Sequence, residues 1–132
     1  MSKMHPDLTL LLVEDDVLVR FTVEEILTDA GFGVTTVKNG TDAITALEGD
    51  IHRFCTDVQL GEGPDGWTVA RRARELSATM PVIYMSGDSA ADWSAQGVPA
   101  SVMLQKPFAD AQLVTCVSTV LNNVSGIGTS GL

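Results

Sequence analysis

The chain has 132 residues and a mass of 14.0 kDa, the size of one ordinary domain. Eight Lys and Arg face 17 Asp and Glu, for a net charge of −9. That balance argues against direct nucleic-acid binding, which needs clustered cations, and against docking on an anionic membrane surface. A hydrophobic content of 45% against 19% charged residues excludes a disordered acidic tail. Read along the chain, Leu8–Val13 is a continuous apolar run, as expected of a strand buried on both faces. A helix follows Glu14-Asp15-Asp16, with Val19, Val23, Ile26 and Ala30 on one face and Gly31 placed to end it.

Gly33–Val37 reads as a second strand, Asn39-Gly40 as a turn, and Thr41–Glu48 as a short helix with Ala43, Ile44 and Leu47 inward. His52–Thr56 is a third strand leading into Asp57, and Gly61–Gly66 is a loop by composition. The next helix runs through Ser77 with Val69, Ala70, Ala73 and Leu76 on its apolar stripe. Pro81–Met85 is a buried strand, Ser89–Gln96 a short helix rich in Ala and Ser, and Ser101–Gln105 a fifth strand. The last helix extends over residues 109–122, carrying Leu113, Val117, Val120 and Leu121, with Val124 continuing the spacing. Residues 1–7 form a short lead, 8–122 one domain, and 123–132 a Gly/Ser-rich tail.

This rhythm is an α/β fold of the (βα)5 type around a parallel sheet, with right-handed crossovers placing helices on both faces. No apolar run reaches the roughly 18 residues needed to span a membrane. The N-terminus lacks the apolar core and cleavage site of a signal peptide, so a cytoplasmic location is expected. Cys55 and Cys116 fit no metal spacing. In a reducing compartment they are expected as small buried thiols.

Ligands of open α/β sheets bind beyond the carboxyl ends of the strands. Those ends carry Glu14-Asp15-Asp16, Asp57, Ser86 and Lys106. Two carboxylates about 5 Å apart repel by roughly 3 kcal/mol at an effective dielectric near 20. A cluster of them therefore needs a proton, a cation or good hydration. Hard oxygen ligands suit Mg²⁺, which takes one or two carboxylates together with phosphate oxygens. With a lysine and a hydroxyl at the same edge, such a site can hold a phosphoryl group. A carboxylate left lightly coordinated can serve as nucleophile and form an aspartyl phosphate.

The stretches LLVEDD (11–16), TDVQLGEGPDGW (56–67), PVIYMSG (81–87) and LQKPF (104–108) resemble, in order and spacing, the CheY-like response-regulator receiver domains of two-component signalling. The resemblance covers about residues 8–122. It implies a doubly wound, flavodoxin-like fold with a five-stranded parallel sheet in the order 2-1-3-4-5. It further implies that Asp57 is the phosphoacceptor, that Glu14, Asp15 and Asp57 position Mg²⁺ with the backbone carbonyl of Gln59, and that Ser86 and Lys106 contact the phosphoryl group. A sensor histidine kinase or histidine phosphotransfer protein is the implied donor, in a phosphorelay. The surface of helix 4, strand 5 and helix 5 is the implied site for a downstream protein. Such a receiver catalyses only its own phosphorylation and dephosphorylation.

Two departures stand out. Met103 occupies the position where this family often carries Tyr or Phe, and methionine has no ring to swing. The loop Gly61–Gly66 is one residue longer than in the simplest members. Asp16 reads as a helix cap rather than a ligand, and His5 and His52 as isolated structural or solvated side chains. Arg71, Arg72 and Arg74 read as a solvated helix face, Tyr84 as core, and Trp67 as packing at its helix start. For Trp93, local packing is favoured over partner contact.

A competing class is a small Mg²⁺-dependent phosphohydrolase with an aspartyl nucleophile. It would need a second acid and a substrate cap, and no insertion here is large enough for one. Flavin binding fits poorly, because the loop after the first strand is acidic where a phosphate cradle is required. The chain ends ten residues after the last predicted helix, so no attached output domain is expected.

Overall fold

The structure is a computed structural model that describes residues 9–118. In chain order the elements are β1 (Thr9–Val13), α1 (Val17–Asp29), β2 (Gly33–Val37), α2 (Gly40–Ala46), β3 (Arg53–Asp57), α3 (Gly66–Leu76) and β4 (Val82–Ser86). A 3-10 turn (Ala90–Asp92), α4 (Trp93–Gln96) and β5 (Val102–Gln105) follow. The described part of α5 covers residues 110–118. All strand pairings are parallel, in the order β2-β1-β3-β4-β5, as the resemblance implies. Val120, Leu121, Val124 and the expected tail lie outside the described residues.

The continuous apolar run of β1 has the consequence foreseen for it: Leu10 to Val13 are each 0% exposed. Leu11 and Val13 join Phe54, Val82 and Tyr84 under α2 and α3, against Ala43, Leu47, Val69, Ala70 and Ala73. On the other face, Leu10, Leu12, Cys55, Ile83 and Met85 pack against Val23, Leu27, Leu113 and Val117 of α1 and α5. A strand covered on both faces cannot alternate polar with apolar residues, and these strands do not.

Helix ends are set by local chemistry. The Asp16 carboxylate accepts the Leu18 and Val19 amides and caps α1. At the other end Gly31 takes φ +101°. There the Gly31 amide donates to Thr28 and the Phe32 amide to Leu27, a Schellman closure. Val19, Val23 and Ile26 face the core as expected, but Leu27 is the buried residue of the last turn and Ala30 is exposed. Asn39 is a cap and not a turn residue: its Oδ1 accepts the Asp42 amide, and Gly40 opens α2. Among the described residues no helix is long and apolar enough to cross a membrane.

Candidate functional site

The carboxyl edge of the sheet gathers the acids. Glu14 follows β1 and is 1% exposed, its amide donating to Val37 of the neighbouring strand. Its backbone carbonyl accepts the Arg20 guanidinium, and its Oε2 accepts the Asp16 amide. Asp57 ends β3, with its side chain 13% exposed. Oxygens of Glu14, Asp15 and Asp57 lie within 4.8 Å of one another, so residues 43 positions apart share one cluster.

Lys106 follows β5, its amide donating to the Ser86 carbonyl, and the Lys106–Pro107 peptide is cis. Its ammonium lies 2.9 Å from Glu14 Oε1 and 3.5 Å from Asp57 Oδ1. Burial tends to lower the Lys106 pKa, but the hydrogen bond to Glu14 and the charges of Asp57 and Glu14 outweigh it, and the net shift is upward. Burial, then the charge of Glu14, pushes the Asp57 carboxyl up to about 7, against the opposing pull of Lys106. One ammonium does not neutralise three carboxylates, so this cluster favours a proton or a cation. Its donor set is all oxygen and suits a hard divalent ion.

The loop after Asp57 is fixed from several sides. Val58 and Leu60 are buried, and the Val58 amide donates to Met85. Asp65 caps α3 by accepting the Thr68 amide. Gly66 presses onto β3: a Cβ there would collide with the Asp57 carbonyl oxygen and sit 2.9 Å from Val58 Cα.

Ser86 is 2% exposed and its hydroxyl accepts the Asp88 and Ser89 amides at 3.3 and 2.7 Å. The Gln59 side chain crosses from the β3–α3 loop and donates to Asp88 Oδ1 and Ser89 Oγ. Sequence reasoning singled out Gln59 only for its backbone and did not single out Ser89 at all. The spacing Ser86-x-x-Ser89 is the one local signal for the turn, since a hydroxyl accepting an amide three residues on is a common serine motif.

Other expectations resolve here. Tyr84 and Trp67 are buried, with rings 4.6 Å apart. Cys55 is buried and Cys116 half-buried, both free thiols, and burial raises both above the ordinary thiol range. Of the three arginines of α3, Arg71 is exposed and Arg72 keeps a largely solvated side chain, as expected, whereas Arg74 is half-buried and held by backbone carbonyls. Arg74 donates to the carbonyls of Met80, Pro99 and Ala100, Arg71 reaches Gln96, and only Arg72 makes a surface pair, with Glu75.

Similarity to known proteins agrees with this geometry. A response regulator receiver protein from Sinorhizobium medicae WSM419 superposes with a TM-score of 0.86 at 46% identity, covering 88% of this chain and 95% of that one. The receiver domain of the sensor histidine kinase PA1611 from Pseudomonas aeruginosa PAO1, solved with a magnesium ion coordinated in its active site cleft, gives 0.75 at 25% identity, covering 86% and 97%. The transcriptional regulatory protein CusR of Escherichia coli K12 is 30% identical over 121 residues, covering 89% of this chain and 53% of that protein. The chain thus spans about half the length of that curated relative. Residues 10–118 match the family of the response regulator receiver domain, and the chain belongs to that family.

Proposed function

We propose that Asp57 accepts a phosphoryl group from a phosphohistidine of a sensor histidine kinase or histidine phosphotransfer protein. The observation that carries this reading is the Lys106 ammonium shared between Glu14 and Asp57 at the carboxyl edge of the sheet. An Asp57 oxygen attacks phosphorus, the bond from phosphorus to the histidine nitrogen breaks, and that nitrogen keeps the electron pair and takes a proton. Lys106 then follows the negative charge onto a phosphoryl oxygen, and the Ser86 hydroxyl donates to another. Glu14, Asp15, Asp57 and the Gln59 backbone carbonyl would hold Mg²⁺. Bound there, Mg²⁺ supplies charge neutralisation on the phosphoryl oxygens. Attack of water on the acyl phosphate resets the site.

The acyl phosphate biases a two-state surface around α4, β5 and α5, to which a downstream protein binds. Transcription belongs to the relative named for it. For this chain the net charge of −9 argues against direct nucleic-acid contact by the receiver, and a cytoplasmic location suits the donor. The test is phosphorylation by acetyl phosphate, or loading with beryllofluoride, in Mg²⁺. Modification is expected in the wild-type chain and absent in Asp57→Asn; equal modification of both sinks the assignment.

A further inference from the structure

Position 103 carries no ring, yet an aromatic side chain does stand on the segment that leaves the site. Ser86 ends β4, and its hydroxyl anchors the Asp88 and Ser89 amides. The Ser89 carbonyl then accepts the Asp92 amide and opens the 3-10 turn, and Trp93 comes next. Neither the 3-10 turn nor α4 contains a buried residue. A segment so poorly buried belongs to the least stable part of a fold.

Trp93 docks it. The indole N–H donates to Ser101 Oγ at 2.9 Å, and Ser101, 8% exposed, in turn donates to the Val98 carbonyl. The Val98 amide donates to the Tyr84 hydroxyl, in the strand next to Met103. Indole atoms Cδ1 and Nε1 and the Trp93 carbonyl oxygen come so close to residue 97 that any Cβ there would collide with them, so glycine suits the approach. Even so, Trp93 as a residue remains 37% exposed.

We infer that Trp93 is the mobile aromatic of this chain, docked on Ser101 and Gly97 at rest and released when the Ser86 hydroxyl turns to a phosphoryl group on Asp57. The inference rests on Asp57 as phosphoacceptor. When the Ser86 side chain rotates to bring its hydroxyl to a phosphoryl oxygen, its Oγ leaves the Ser89 amide, whose bond is buried, and that amide loses its acceptor. A buried amide without a partner is costly, so the turn shifts. The segment it carries is docked through the part-buried bond from the indole to Ser101. Met103, partly buried against the core beside β4, is flexible enough to repack in either state.

The experiment is tryptophan fluorescence of the full chain, with and without beryllofluoride in Mg²⁺, compared with Trp93→Phe to subtract Trp67. Fluorine NMR reports independently whether the mimic binds. On binding, the Trp93 emission is expected to shift to longer wavelength and become more accessible to acrylamide, with both effects lost in Asp57→Asn. Ser101→Ala is expected to raise Trp93 quenching without the mimic. Should that variant fail to fold, Gly97→Ala, which crowds the ring, is expected to give the same signature. Bound beryllofluoride with unchanged Trp93 emission and quenching overturns the release and leaves Asp57 as acceptor intact. Absence of binding in the wild-type chain overturns the phosphoacceptor reading and the release with it.

Discussion

Lys106 is held more closely by Glu14, at 2.9 Å, than by Asp57, at 3.5 Å. Glu14 is 1% exposed and is the member of the cluster that water cannot reach. Removing one partner of a buried pair leaves an uncompensated charge, at a cost of about 3–5 kcal/mol. Here the lysine is 24% exposed, which brings the expected loss for Lys106→Met down to about 2–3 kcal/mol. Methionine keeps the stem packing, so the loss reports the charge. Urea melts in EDTA should show it, and Mg²⁺ should restore part of it by answering the same carboxylates. Equal midpoints for variant and wild type in EDTA would show that the pair contributes nothing.

Asp57 gives the pH dependence. Its carboxyl is raised from an ordinary 3.8 to about 7 by burial and then by the charge of Glu14. The folded state therefore binds this proton more tightly than the unfolded state does. The stability it contributes is complete below the unfolded value near 3.8 and is lost as pH rises through 7. In metal-free protein, Asp57→Asn is therefore expected to match wild type near pH 4 and exceed it near pH 8 by about 1–2 kcal/mol after allowance for solvent screening. Thermal melts in EDTA at the two pH values check the crossing. A constant difference across that range would contradict the burial argument.

Gly66 makes the sharpest steric prediction. Its amide donates to the Val58 carbonyl at 2.8 Å, and a Cβ would overlap the Asp57 carbonyl oxygen. Backbone cannot yield as a flexible side chain can. Gly66→Ala is expected to destabilise by about 1–3 kcal/mol, the usual range for overpacking. It is also expected to slow phosphorylation by acetyl phosphate, because the strand end carrying Asp57 must shift. Wild-type rates at unchanged stability would rule out the close approach.

Much of this was legible because the strands are buried on both faces. Uninterrupted apolar runs such as Leu10–Val13 mark themselves, and the residue after each run falls at the carboxyl edge without further reasoning. Glu14 stands out in that way, while Asp57 and Lys106 follow the less apolar runs His52–Thr56 and Ser101–Gln105. The misplacements came where a local pattern has two readings. Asn39-Gly40 has the composition of a turn, yet a side chain that accepts the Asp42 amide makes it a helix start. Ala30 continues the spacing of Val19, Val23 and Ile26, but the chain leaves the helix there at Gly31. Long-range ties left no local trace. Gln59 meets Ser89 thirty residues on, and only the closure of two loops at one sheet edge decides that they touch.

Arg74 is the plainest of those ties and the easiest to cut. On the sequence it is one of three arginines on an amphipathic helix. In the fold its Nε donates to the Met80 carbonyl at 2.7 Å, and its two terminal nitrogens reach Pro99 and Ala100. Burial lowers its pKa, without threatening its charge. It thereby ties α3 to the loop before β4 and to the loop before β5, where Ala100 takes a φ of +60°. Arg74→Ala frees three carbonyls, some of which water can reach, so the expected loss is about 1–2 kcal/mol. Arg74→Lys should recover only a minor share, since one compact ammonium cannot span carbonyls on both loops. Hydrogen exchange separates this from a general loss of stability. Amides of residues 98–101 are expected to accelerate well beyond those of β1 and β3, and uniform acceleration across the sheet would show that Arg74 holds no particular loop.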